Sequence, residues 1–566
     1  MLYKQRMGGM GQGASHLRHR AGHPGGGVDA RGGPHGEAAS RKAAREAAGH
    51  RAGPYGGHGR PDGGKGHRKA EHRHRKRGRK HKRHHRHRGK RPHSLAAAAV
   101  ALPTAPATPP APSSAPVAAL SAPLSAAGAQ RLLWRAGFGP RPGEAEALAG
   151  QPLQQVVYGL TRPPGEAVLS GPAPVNEAGE PLDPIHTWGD DHCWWLDRMI
   201  RTDQPLIERM TFIWHDWFAN SNEQVDSVQL MLGQNELFRE KALGSFHDLF
   251  EAVTADPAML VFLDGIDNEK GDSNENYARE MMELFSLGAD RGAYTEGDVR
   301  EMGRALTGWQ AEWSAEEGMR NFHYDPAKHD EGAKTVFGQT GNWNWEDAVR
   351  MCVEHPLHPS FFVTKLWGYF IPTQPDEATL ASLQGTYTSS GFSIKAVVEA
   401  ILQHPDFYEG PELVTPPVVY NAGLLRAVGR YIDTTAWAWL SSGAGQQLFY
   451  PPNVSGWEFG RWLDTSTVRA RWEMANYVVA NTYPNPWPAE GEPEYDPTET
   501  PAQALESALA YWGEPPLSSE SQQCIAAFAQ SCMPGEMAEW EQSPYRAIRQ
   551  NALRMLIATS PDMQVS

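Results

Sequence analysis

The stretch Asp190–Phe218 reads DDHCWWLDRMIRTDQPLIERMTFIWHDWF. In it Leu196, Met199, Ile200, Leu206, Ile207, Met210 and Ile213 recur at three- and four-residue intervals, the period of a helix face held over several turns. Working outward, Arg131–Ala136 reads as a helix, Gly137–Pro142 as a tight Gly/Pro turn, and Gly143–Ala149 as a second helix with acidic residues at its start. Thr295 with Asp298 forms a capping-box pattern ahead of an apolar stripe, Val299, Met302, Leu306 and Trp309. No strands alternate at regular spacing, and the one strand signal is a short hairpin near Gly332–Trp345. The expected fold is mainly α: a multi-helix globular body rich in Trp, of which the chain has 19, with at most a short hairpin.

The 566 residues carry a net charge of −13, but the sign is divided along the chain. Residues 1–94 hold 25 Lys/Arg against 5 Asp/Glu, leaving 28 against 61 for the rest. That first segment is Gly, His, Arg and Lys with almost no branched apolar side chains, so it reads as a disordered basic tail. It suits polyanion binding, holds 14 of the 23 His in a metal-tract composition, and equally suits a plain solvated tail. Residues 95–127 read either as an Ala/Pro-rich linker or as a secretory signal, since a basic cluster precedes an apolar Leu95–Leu102 and Ala-x-Ala-like sites. That apolar run is too short to span a bilayer, which takes about 20 residues. Residues 128–483 have globular composition, 484–501 form a Pro/Glu-rich link, and 502–566 read as a small helical appendix. Four Cys exclude a disulfide framework, and Cys524 and Cys532 lie too far apart on one helix to bridge.

Several segments could carry chemistry. In Asp264–Leu287, DGIDNEKGDSNENYAREMMELFSL, an oxygen-rich loop leads into a helix ending near Gly288. Tyr277, Met281, Leu284 and Gly288 share its core stripe, while Asn276, Glu280 and Glu283 share another face beside Arg279. Such paired carboxylates could ligate a divalent metal, act as acid and base, or form an Arg–Glu packing lattice. His215 among aromatic residues reads as a base, a ligand or a hydrogen-bonded core residue. His329-Asp330, with Lys334 nearby, reads as a polar-presenting turn for an anion or metal, or as an Asx turn. The His355-Pro356, His358-Pro359 and His404-Pro405 pairs read as helix entries. In Pro451–Arg471, Trp457 and Trp462 suit either a sugar-stacking platform or plugs in a helical core.

The strings LLWRAGFGPRPGEAEAL, FIWHDWFANS, NENYAREMMELFSLG, YTEGDVREMGRALTGW, HDEGAKTVFG, HPSFFVTKLWGYF and PPNVSGWEFGRWLDTST, in this order over about residues 128–480, resemble the bacterial family called domain of unknown function 1800. The resemblance implies a predominantly helical fold and members that are often exported, and it brings no established activity. Its characteristic segments fall here on His215, Asn274–Asn276, Arg279, Glu280, Glu283, Thr307–Trp309, His329–Asp330, Lys334 and Gly456–Trp457. Where the family shows a second His two residues after the position of His215, this chain has Trp217, one imidazole fewer for a metal.

The expected function is an exported hydrolase-like enzyme acting on a cell-surface or polymeric substrate. His215, Glu280, Glu283, His329 and Asp330 would converge as acid, base or ligands, with Asn276, Arg279, Lys334 and Trp457 binding substrate. No nucleotide cofactor is expected, because no dinucleotide fingerprint or P-loop is present, and a Gly-x-Ser-x-Gly elbow is also missing. The alternatives are a non-catalytic envelope-assembly or glycan-binding module, and polyanion binding through the basic tail. A cytoplasmic location goes with the linker reading of residues 95–127.

Overall fold

The computed structural model describes residues 122–480, 499–532 and 539–566, with 539–547 in backbone alone. The basic tail, the signal-like Leu95–Leu102 and most of the Pro/Glu-rich link lie outside the described residues. Within them helices dominate, joined by loops and two small antiparallel hairpins.

The Trp-dense stretch forms two helices, Asp190–Arg201 and Pro205–Trp217. The first opens after Gly189 with Asp190 and Asp191 in its first turn and ends with Arg198 and Arg201 in its last, charges that suit the helix dipole at both ends. Pro205 opens the second, where its missing N–H costs nothing. The Pro205–Trp217 helix is the central element because it is buried nearly all round, with Ile207 alone half-buried. Leu206, Met210, Ile213, Trp214 and Trp217 join one core cluster, while Phe212 joins a second with Trp195, Leu196 and Trp457. A helix wedged between two cores must bury its polar residues too, and Glu208, Arg209, His215 and Asp216 are all buried.

The acidic-faced segment forms an α-helix, Asn276–Glu280, that widens into a π-helix, Met281–Ser286. Ser286 Oγ donates to the Met281 carbonyl at 2.6 Å, and the Leu287 amide donates to Met282 at 2.8 Å. The wider turn corrects the expected stripe: Tyr277 and Met281 are buried, but Phe285 and Ser286 take the next core places and Leu284 is only half-buried. Gly288 ends the segment at φ 88°, in the left-handed region expected of a C′ glycine.

The Glu296–Ala305 helix carries the expected capping box of Thr295 and Asp298. It stops before Trp309, which instead begins a strand, Trp309–Ser314, paired with Gly318–Tyr324. Gly308, at φ 119°, turns the chain between them, and a Cβ there would meet the Tyr324 ring at 2.7 Å. This hairpin adds to the expected one, Lys334–Val336 with Gln339–Gly341. Its strands are half exposed and flanked by helix signals, so alternation is masked in the sequence.

Helix His358–Gly368 meets the central helix through Phe361 and Phe362 against Trp217, while Pro417–Ala427 and Thr465–Val479 contribute to the second core. Pro359 lies in the first turn of His358–Gly368, and the His404 ring accepts the Asp406 amide at the next His-Pro entry. The C-terminal helices Pro501–Tyr511, Ser519–Ser531 and Glu539–Ala558 share the second core: Ala504, Ala508, Trp512, Leu553 and Ile557 belong to it. Tyr420 Oη donates to the Ala558 carbonyl at 2.7 Å, tying the last helix to Pro417–Ala427. Among the described residues, no helix is long and apolar enough to cross a membrane.

Candidate active site

Asp216 stands at the last turn of the central helix, where two distant segments reach it. The Oη of Tyr369, just past the His358–Gly368 helix, donates to Asp216 Oδ2 at 2.7 Å. The Trp457 amide donates to Oδ1 at 2.8 Å. That second approach requires glycine at 456. Gly456 has φ 91°, and a Cβ there would fall 2.2 Å from Asp216 Oδ1. Burial pushes the Asp216 carboxyl up to about 6, although Tyr369, the Trp457 amide and Lys365 all favour its charged form.

Lys365 lies one turn before Tyr369. Its Nζ donates to the Leu284 carbonyl at 3.0 Å and sits 4.3 Å from the centre of the Trp217 ring, a cation–π contact. Burial pushes this ammonium down to about 8, with the Asp216 charge acting the other way. A carboxyl and an ammonium, both moved toward neutrality by burial, therefore face the same space. It is an open cleft of about 560 Å³ whose lining includes Asp216, Lys365, Tyr369, Arg291, Phe361 and Phe459. A small chamber of about 40 Å³ shares Asp216, Gly368, Tyr369, Trp457 and Phe459 with the cleft.

A further cavity, about 480 Å³, lies between the Ala126–Arg135 helix and the chain end at Val565–Ser566. Ala122, the first of the described residues, is on its lining. The cleft at Asp216 is the better site because two buried, shifted ionisable groups converge there.

The expected site residues fall into three neighbourhoods. His215 and Trp457 adjoin the cleft, their rings 5.4 Å apart. His215 also meets Trp195, Phe238 and Phe449, is 2% exposed, and does not line the cleft. Burial pushes it down to about 3, so it is a neutral ring behind Asp216. Trp457 and Trp462 are buried as plugs.

Asn276, Arg279, Glu280 and Glu283 occupy the half-buried face of their helix. Arg279 forms a bidentate pair with Glu296 at 2.8 and 2.9 Å. Glu283 accepts from Tyr294 Oη at 3.3 Å, and Asn276 donates to Asp264 at 3.4 Å. Burial, and then the Glu283 charge, raise the Glu280 carboxyl.

His329, Asp330 and Lys334 form the third group. His329 Nδ1 lies 2.9 Å from the Thr307 carbonyl, Arg304 Nε donates to Asp330 at 2.7 Å, and Lys334 donates to the carbonyls of Asp330 and Gly332. The Arg304 guanidinium holds the Asp330 carboxyl down at about 2, and burial lowers the Lys334 ammonium. Among the described residues no three His, Cys, Asp or Glu side chains gather as a metal would need. Cys193 and Cys352 are buried, and burial pushes both thiols up to about 12.

Lys365 and Tyr369 were not singled out by the sequence, and Asp216 was given no catalytic or binding role beside His215. Their signal lay in the segments FIWHDWFANS and HPSFFVTKLWGYF, which meet with PPNVSGWEFGRWLDTST at this cleft.

Fold and site together define a Trp-rich helical protein with a buried carboxyl and a buried ammonium on the lining of an open cleft. The chain belongs to the family described as protein of unknown function (DUF1800), whose model matches residues 131–565 and so includes the C-terminal helices. No curated protein and no solved structure matches it.

Proposed function

We propose that this protein is a hydrolase that acts on a polymeric or cell-surface substrate laid in the cleft, with Asp216 as general base and Lys365 as general acid. The observation that carries this reading is that Asp216 and Lys365 both line the open cleft, with burial moving the carboxyl up to about 6 and the ammonium down to about 8. Ionised Asp216 takes a proton from water, and the water oxygen bonds to the electrophilic centre. The bond to the leaving group then breaks, and that group takes its proton from the Lys365 ammonium. Tyr369 holds the carboxylate in place through its 2.7 Å hydrogen bond. Phe361 and Phe459 give the cleft apolar surfaces of the kind that stack on sugar rings. The signal-like order before residue 103 suits a substrate outside the cytoplasm.

The test is release of new reducing ends from purified bacterial cell-wall glycan and from a set of neutral and acidic polysaccharides. Wild-type protein should release them, and Asp216→Asn should lose about 100-fold or more of that rate. No release from any polymer, or full activity in Asp216→Asn, would overturn the reading.

A second reading, a glycan-binding module without catalysis, draws on the exposed Trp188–Trp439 pair. These rings are 50% and 54% exposed, with centroids 3.9 Å apart. Binding of the same glycans that survives Asp216→Asn but falls in Trp439→Ala favours this module.

A further inference from the structure

The charge of the cleft is reversed from that of the chain that forms it. Beyond residue 94 acidic residues outnumber basic ones, 61 to 28. On the cleft lining the charged residues are Arg291, Lys365 and Asp216, two cations against one acid. Lys365 keeps its ammonium over the Trp217 ring, whereas Arg291 is exposed. Positive charge gathered in a hollow of an acidic body draws anions to that hollow.

Arg291 is exposed and yet held in one place. Its Nη1 donates to the Leu287 carbonyl at 2.8 Å and the Leu357 carbonyl at 3.3 Å, and its Nη2 donates to Ser360 Oγ at 2.5 Å. Its stem crosses Gly288: Arg291 Cδ and Phe361 Cδ2 lie 2.7 and 3.0 Å from where a Cβ of residue 288 would stand. Only glycine there lets the arginine lie beside the Phe361 ring. The three bonds engage three of the five guanidinium N–H groups, leaving Nε–H and one Nη2–H. Arg279 and Arg304, on the neighbouring helices, are each paired with a carboxylate, Glu296 and Asp330. Arg291 has no such partner among the described residues. Through Ser360 it is anchored five residues before Lys365, about 7–8 Å away along the helix axis.

We propose that Arg291 is the specificity-determining residue of the cleft, binding a carboxylate on the polymer that lies there, so that the substrate is an acidic polysaccharide. The planar guanidinium matches a carboxylate with parallel hydrogen bonds, a geometry an ammonium does not offer. Phe361 beside it gives the sugar ring that bears the carboxylate a face to stack on. The distance from Lys365 keeps this contact away from the bond that is cut, so Arg291 selects and does not react. The inference rests on the hydrolytic reading for the cleft as the place of the substrate, and it adds the substrate's charge.

The experiment is calorimetric titration of the full chain, at low salt, with polygalacturonate, alginate and soluble fragments of bacterial cell-wall glycan. Each is compared with its own methyl ester, which keeps the backbone and removes the charge. At least one acid form should bind about tenfold or more tighter than its ester, and Arg291→Gln should abolish that preference. Ser360→Asp should weaken it by about threefold or more, because it sets an internal carboxylate against the guanidinium. Ser360 lies in the first turn of its helix, where an acid suits the dipole, so this variant decides the matter even where Arg291→Gln does not fold. Two results would each overturn the proposal: no acid form that binds better than its ester, or a preference that both variants leave intact. An Arg291-dependent preference without release of reducing ends would uphold Arg291 as the selector and remove the hydrolytic reading. Release from polymers with no preference for the acid form would do the reverse.

Discussion

The Tyr369 hydroxyl lies 2.7 Å from Asp216 Oδ2 across a sequence separation of 153 residues. The bond locks the end of one helix onto the last turn of another, and it fixes the direction of a carboxyl that burial would otherwise drive still higher.

The Asp216 carboxyl should titrate near pH 6 in carbon-13 spectra of the folded protein, well above an ordinary aspartate. Tyr369→Phe removes a donor that favours the charged form, so it should raise that midpoint further. The folded value exceeds the unfolded one, so ionising Asp216 opposes folding. Wild-type stability should therefore fall, relative to Asp216→Asn, as pH rises from about 4 to about 6. A midpoint near 4 in wild type would contradict the burial account.

Gly456→Ala should destabilise the fold by about 2–4 kcal/mol in urea titration, through a strained positive φ and a clash with Asp216 Oδ1. Gly143→Ala is the control: it too has positive φ, but a Cβ there meets nothing within 4 Å. Equal losses in both variants would mean that the approach to Asp216 is not the cause.

Asp330 is held down at about 2 by Arg304, so its stabilising contribution is present above the unfolded value near 4 and is lost as pH falls toward 2. Asp330→Asn should lower stability modestly at pH 7, by about 0.5–1.5 kcal/mol, and flatten that acid limb. It should leave the hydrolytic rate within about twofold, since Asp330 binds Arg304 rather than the cleft. A rate loss like that of Asp216→Asn would return the chemistry to the His329–Asp330 turn.

The helical architecture was legible because its signals are local. The apolar period of residues 190–218, the capping box at Thr295 and the C′ glycine at 288 each need only a few neighbours. The burial of Trp457 and Trp462 followed from the size of the indole ring. The π-helix left no compositional mark, so the placement of Phe285 over Leu284 was hidden. The hairpin at 309–324 was masked because Trp309 continues the stripe of the helix before it.

The site was legible only in fragments. His215 drew attention as an imidazole among aromatics, but the same aromatics exclude water and leave it neutral. Its neighbour Asp216 gained chemical meaning only from Tyr369, Lys365 and Gly456, all far along the chain. Glu280 and Glu283 share a helix face as the spacing required. What the spacing did not determine was the partner across from that face, which for Glu283 is Tyr294.

The most direct test of the Asp216–Lys365 pair is the pH dependence of the hydrolytic rate under kcat/KM conditions, in wild type and Lys365→Met. The base must be ionised and the acid protonated, so the profile should rise through about 6, fall through about 8, and lose its alkaline limb, with most of its rate, in Lys365→Met. A wild-type profile without these limbs, or one that Lys365→Met leaves unchanged, would contradict the assignment of acid and base to this cleft.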